Sequence, residues 1–162
     1  LEKEDFKFLF DSYFDSIKNY VFYRVGDMDI ATDITQDVFV KIWEKQMILD
    51  LKNAKYLLYK IAKDMLISKY RRLEVEAKYT NRMQMQLTEL VIDTSYDYKQ
   101  LQNNYQIALV QLPEKQRTVF MMSRMEELKY AEIAERLDIS IKTVEKRMSN
   151  ALIYLRKVLK HE

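Results

Sequence analysis

The sequence predicts an all-α protein of two small helical domains joined by a linker, on three observations. Gly26 and Pro113 are the only glycine and the only proline in 162 residues. Strand-rich folds and phosphate-cradling loops need many more turn glycines. Apolar residues recur at three-and-four spacing through most of the chain, the period of a helix with one buried face. That period lapses once, where Thr80, Asn81, Gln84, Gln86, Thr88, Asp93, Thr94 and Ser95 interrupt it. The lapse divides the chain into residues 1–73, a linker over 74–98, and residues 99–162.

Each helix has its own pattern. Phe6, Leu9, Phe10, Tyr13, Phe14, Ile17 and Val21 mark the first. Gly26-Asp27-Met28-Asp29 is the turn after it, with Asp29 the expected N-cap of the second helix. There Ile30, Ile34, Val38, Phe39 and Ile42 point inward, and Asp33, Gln36, Asp37, Val40, Lys41 and Glu44 point outward. A loop over 46–54 is unusually apolar, with Met47, Ile48, Leu49 and Leu51. A third helix over 55–72 buries Leu57, Leu58, Ile61, Ala62, Met65 and Leu66 and ends on the cations Lys69, Arg71 and Arg72. After the linker, Leu101, Tyr105, Ala108, Leu109 and Leu112 form a helix that Pro113 ends. Glu114 opens the next, which buries Val119, Phe120 and Met122.

Composition removes several kinds of chemistry. With 27 bases against 25 acids the chain is no general polycation, so any nucleic-acid surface is local. Zero cysteines exclude disulfides and thiolate metal sites and fit a reducing cytoplasm. One histidine, His161, sits at the end of the chain. That removes Ser/His and Cys/His catalysis and leaves only carboxylates as metal ligands. No catalytic residue, metal site or cofactor is expected. No run of about eighteen apolar residues occurs, and no signal peptide opens the chain. Leu1 in place of an initiator Met points to a trimmed N-terminus.

The most informative stretch is the last. Tyr130, Ile133, Ala134 and Leu137 give a short amphipathic helix. Asp138 breaks it, because Asp tolerates the left-handed conformation that ends a helix sharply. Ser140 is a good N-cap for the helix that follows. Val144, Met148, Leu152 and Leu155 then face inward, which leaves Lys142, Thr143, Glu145, Lys146, Ser149 and Asn150 outward. This is the layout of a helix-turn-helix, whose second helix reads the DNA major groove. Helix pairs of this kind also occur in proteins that bind no nucleic acid, and charge separates the two readings. Over residues 139–161 six bases (Lys142, Lys146, Arg147, Arg156, Lys157, Lys160) face the single acid Glu145. A local cationic helix on a nearly neutral chain is the footprint of a phosphate-binding element.

Four motifs in order resemble the small extracytoplasmic-function sigma factors of bacterial RNA polymerase, of the sigma-70 family. Asp33-Ile34-Thr35-Gln36-Asp37-Val38-Phe39-Val40-Lys41-Ile42-Trp43-Glu44 is similar to the region 2.2 helix. Tyr56-Leu57-Leu58-Tyr59-Lys60-Ile61-Ala62-Lys63-Asp64, followed by Arg71-Arg72, is similar to regions 2.3 and 2.4. Leu112-Pro113-Glu114-Lys115-Gln116-Arg117-Thr118-Val119-Phe120 looks like the opening of region 4. Tyr130-Ala131-Glu132-Ile133-Ala134-Glu135-Arg136-Leu137 and Thr143-Val144-Glu145-Lys146-Arg147 resemble its helix-turn-helix. No region 1.1 or region 3 is expected. Many relatives carry Asn where Asp64 stands, Asp where Ser68 stands, and Gly at Asp138.

The resemblance implies a non-enzymatic specificity subunit. Its partners would be core RNA polymerase (through the β′ clamp helices and the β flap), promoter DNA and an anti-sigma factor, with no small-molecule substrate. It implies core-polymerase contacts at Asp33, Gln36, Asp37, Val40, Trp43 and Glu44. It implies minus-ten contacts at Met47, Ile48, Asp64, Lys69, Arg71 and Arg72. The minus-thirty-five element would be read by Lys142, Thr143, Glu145, Lys146, Arg147, Ser149 and Asn150. A face of carboxylates suits a basic partner helix, although most such faces are simply solvated. Two other readings stand beside it: a two-domain helix-turn-helix regulator whose N-terminal half binds a protein or ligand, and a helical adaptor without a DNA role. A carboxylate metalloenzyme fits poorly, because the acids lie on one outward face with no histidine or second acidic cluster opposite.

Overall fold

The computed structural model describes residues 1–46, 50–73 and 99–160, with side chains omitted for 70–73. Every described element is an α-helix: α1 (Lys3–Val25), α2 (Met28–Glu44), α3 (Ala54–Leu73), α4 (Lys99–Gln111), α5 (Glu114–Glu126), α6 (Tyr130–Leu137) and α7 (Ile141–Lys160). The expected all-α class is what folds. The linker expected over 74–98 lies outside the described residues, as do the loop residues Met47, Ile48 and Leu49.

Local chemistry sets the helix ends. Gly26 sits at φ 67°, a conformation that costs glycine nothing, and its N–H donates to the Phe22 carbonyl to close α1. The next helix is capped by Asp27, not by Asp29 as the sequence suggested. The turn places Asp27 in extended conformation, and its carboxylate accepts from the Asp29 and Ile30 N–H groups at 2.9 and 3.1 Å. Asp29 falls inside the first turn, where its charge still suits the positive helix end. Pro113 precedes α5 and its carbonyl accepts from the Gln116 and Arg117 N–H groups, both at 2.9 Å.

The first three helices pack on one another through Leu9, Ile17, Val21, Ile34, Val38, Ile42, Leu58, Ala62 and Leu66. One edge of this bundle is aromatic. Phe6, Phe10 and Phe14 of α1 meet Phe39 and Trp43 of α2, with Phe6 and Trp43 ring centres 5.0 Å apart. In the C-terminal half, Leu109, Leu112, Val119, Met122, Ile133, Val144, Met148, Ala151 and Leu155 are buried together. Three residues expected inward are exposed: Phe10 at 37%, on the aromatic edge, and Leu101 at 43% and Tyr130 at 36%, each near the N-terminal end of its helix.

The halves touch. α5 lies on α1 and α6 lies on α3. Polar groups cross this seam. Arg24 is ion-paired with Glu114, and its Nε donates to Glu114 Oε1 at 2.8 Å. Arg117, almost fully buried, donates to the Tyr23 and Arg24 carbonyls at 2.8 Å each. Tyr20 and Tyr59 are buried edge to face, with centroids 5.2 Å apart. No described helix is long and apolar enough to cross a membrane.

Candidate nucleic-acid interface

The turn between α6 and α7 is built as its sequence required. Asp138 takes the left-handed conformation at φ 52°. Its N–H and that of Ile139 turn back onto the last carbonyls of α6, at Glu135 and Ala134. The Ser140 hydroxyl accepts from the Thr143 N–H at 3.1 Å and so caps α7. The pair is locked from inside by Ile133 and Ala134 on α6 and by Val144, Met148, Ala151 and Leu155 on α7.

This packing decides which side chains of α7 are free. Lys142, Glu145, Lys146, Ser149 and Asn150 are all exposed and share one side of the helix. Thr143 and Arg147 are half-buried. The Thr143 hydroxyl lies 2.8 Å from the Ser140 hydroxyl, so it takes part in the cap. Arg147 leans toward the N-terminal half, where burial, and next the charge of Arg24, pull its guanidinium below its ordinary pKa. One residue of this side escaped the sequence reading. Ile153 is 59% exposed and stands one turn beyond Ser149 and Asn150. The stripe Lys142, Lys146, Ser149, Ile153 follows helical spacing and was the signal that could have found it.

The outward side of α2 is equally well defined. Asp33, Gln36, Asp37, Val40, Trp43 and Glu44 are all exposed, and they run along about 16 Å of helix. Val40 is 51% exposed and Trp43 40%, so two apolar groups stand among three carboxylates. Trp43 is anchored on its inner side by Phe6, which holds the indole in place while leaving part of it in solvent. Asp37 accepts from Lys69 of α3 at 2.7 Å, with both side chains well exposed. Isolated surface pairs of this kind contribute little, about 0–1 kcal/mol.

On α3, Asp64 is exposed and Lys69 is taken up with Asp37. Arg71 and Arg72 end the helix, with side chains outside the described set, and Met47 and Ile48 lie outside the described residues. Asp64 borders a cleft in the seam, together with Tyr56, Lys60 and Lys63 of α3 and Arg136 and Asp138 across from them. The Tyr56 hydroxyl donates to Asp138 at 3.1 Å, and Arg136 donates to the Tyr59 hydroxyl at 3.2 Å. Behind them lies a tight polar cluster. Tyr23 hydrogen-bonds Glu126, and Arg136 approaches Glu126 at 3.9 Å. Burial pushes the Tyr59 hydroxyl up to about 12 and raises Glu126, against the pull of Arg136 in both cases. Thus α3 and the helix-turn-helix, the two elements expected to meet DNA, lie side by side.

The sigma-70 region 4 family matches residues 103–155, the stretch from α4 through most of α7. Three curated proteins are similar over nearly the whole chain. The ECF RNA polymerase sigma factor SigW of Bacillus subtilis (strain 168) is 28% identical over 172 residues, spanning 98% of this chain and 91% of its own. RNA polymerase sigma factor YlaC of the same organism is 28% identical, spanning 92% of this chain and 88% of its own. The ferric citrate uptake sigma factor FecI of Escherichia coli (strain K12) is 24% identical, spanning 91% and 86%. Among solved structures, the sigma factor RpoE from Bartonella quintana, crystallised with the anti-sigma factor NepR, shares the fold. Its TM-score is 0.60 at 23% identity, and the match covers 98% of this chain and 99% of that one.

Proposed function

We infer the working surfaces of this molecule from its membership of the sigma-70 family, in which the chain belongs to the extracytoplasmic-function type of sigma factor. The protein directs the RNA polymerase core to specific promoters for transcription initiation. Its role is regulatory, and we assign it no catalysis of its own; we place that role in the cytoplasm. Residues 1–73 act as region 2, residues 74–98 as the linker and residues 99–162 as region 4.

The exposed side of α2 is the surface for core polymerase. Asp33, Asp37 and Glu44 meet basic side chains of the β′ clamp helices, Gln36 adds hydrogen bonds, and Val40 and Trp43 supply the apolar contact that a purely charged patch lacks. The β flap meets region 4. Met47 and Ile48 with Asp64, Lys69, Arg71 and Arg72 of α3 engage the minus-ten element, where an unstacked base needs an apolar pocket and nearby cations. An anti-sigma factor is a further partner, as it is for the Bartonella protein.

The observation that carries this reading is the exposed polar stripe of α7, set in the stretch that matches region 4. Glu145 and Asn150 read bases of the minus-thirty-five element, since Glu accepts from cytosine N4 and Asn pairs with adenine. Lys142, Lys146 and Ser149 share that groove and Lys157 holds a phosphate, while the half-buried Thr143 serves the cap and Arg147 the seam. Each base contact is worth about 1–3 kcal/mol, whereas a phosphate contact mainly changes the salt slope. Glu145→Ala and Asn150→Ala are therefore expected to alter which upstream base is preferred. A selection from a promoter library measures this. An unchanged preference in both variants would remove these two residues from the reading surface.

A further inference from the structure

Four cations converge on one cleft in the seam, and nothing in the transcription role accounts for them. Arg24 comes from the end of α1, Lys63 from α3, Lys115 from the start of α5 and Arg147 from α7. Tyr20 and Thr118 complete the polar lining, and the apolar wall is Leu137 and Ile139 at the helix-turn-helix turn. Glu114 neutralises Arg24 alone. Among the described residues no carboxylate lies within ion-pair reach of Lys63, Lys115 or Arg147. The acids Asp64 and Asp138 border the adjoining cleft, not this one.

Like charges around a partly desolvated cleft repel, and the repulsion grows as water is excluded. Arg147 already registers it, through its burial and the nearby Arg24. An anion in the cleft removes that repulsion and gains charge-assisted hydrogen bonds from several donors at once. The cleft volume is about 80 Å³. That is room for on the order of five waters, so one or two phosphoryl groups enter while a larger attached group stays outside. Duplex DNA is too wide to reach between the helices.

We propose that this cleft is a binding site for a small phosphate-bearing anion, clasped by Arg24, Lys63, Lys115 and Arg147 from both halves of the molecule. Because Arg24 and Lys63 belong to the N-terminal half and Lys115 and Arg147 to the C-terminal half, an occupant ties the halves together.

Calorimetric titration of the full chain with inorganic pyrophosphate tests the site. The native chain is expected to show saturable one-to-one binding that sulfate at matched ionic strength does not reproduce. Lys63→Gln with Lys115→Gln, both exposed and outside the core, weakens binding by about tenfold or more for each lysine. Circular dichroism verifies that this variant folds. Lys3→Gln with Lys7→Gln, which removes the same charge at the opposite end of α1, more than three turns before Tyr20, leaves pyrophosphate affinity unchanged. Absence of saturable binding overturns the proposal, and so does an equal loss in the two double variants, which would mean diffuse charge screening. If pyrophosphate fails to bind while the Lys63/Lys115 substitutions weaken only DNA binding, the cations serve a nucleic-acid backbone and the proposal falls.

Discussion

Arg117→Ala is expected to lower the unfolding free energy by about 3–5 kcal/mol, the largest loss at any polar position of the chain. The residue is 3% exposed. It donates to the carbonyls of Tyr23 and Arg24 at 2.8 Å and to those of Val110 and Leu112 at 3.2 and 3.3 Å. Tyr23 and Arg24 end α1, while Val110 ends α4 and Leu112 follows it. Helix C-terminal carbonyls have no partner within their own helix and carry partial negative charge. One planar fork therefore closes two helix ends, one from each half. Alanine strips the donors from all four carbonyls in a buried place. Arg117→Lys is expected to recover only part of the loss, because an ammonium on a flexible stem cannot span four acceptors in fixed geometry. Denaturant unfolding measures both variants. A loss below about 1 kcal/mol for Arg117→Ala, the ordinary net worth of one hydrogen bond, would mean that water replaces the guanidinium at these carbonyls.

The double reversal Asp33→Arg with Asp37→Arg should reduce affinity for core polymerase by about a hundredfold while the fold persists. Truncating or reversing charges in a complementary interface costs about 2–5 kcal/mol, and each 1.4 kcal/mol is tenfold in affinity. Both side chains are exposed, and among the described residues the one ion pair given up is that of Asp37 with Lys69, itself largely in solvent. Unfolding should therefore shift by no more than about 1 kcal/mol. Co-sedimentation with core enzyme and thermal unfolding, done on the same preparation, separate the two effects. Unchanged affinity would reassign this side of α2 to solvent. Loss of the fold would reassign it to structure.

Much of this molecule was legible in its sequence because its information is local. Helix periodicity found α1 to α7, and the Asp138-Ile139-Ser140 junction announced its own geometry, since a left-handed residue and a hydroxyl cap act within one turn. The outward face of α2 followed from the inward positions of Ile34, Val38 and Ile42. The N-cap was misplaced by two residues because Asp27 and Asp29 both suit it, and only the left-handed Gly26 decides between them. What stayed hidden depends on distant partners. Arg24, Tyr59 and Arg117 were not among the residues expected inward, and they are buried because residues some 75 to 95 positions away in sequence cover them or accept their hydrogen bonds. Arg147 was expected on the DNA side. Its place at the edge of the seam follows from α1 and α3, which no periodicity on α7 can reveal. Ile153 was passed over because an apolar residue at helical spacing is ordinarily core.

Multi-round transcription by core RNA polymerase, supplied with this chain and a library of randomised promoter fragments, tests the central claim most directly. The account predicts transcripts that depend on the chain and start downstream of one recurring pair of sequence elements, and it predicts their loss with the Asp33→Arg/Asp37→Arg variant. The same transcripts with and without the chain, from a preparation shown to be folded, would contradict it.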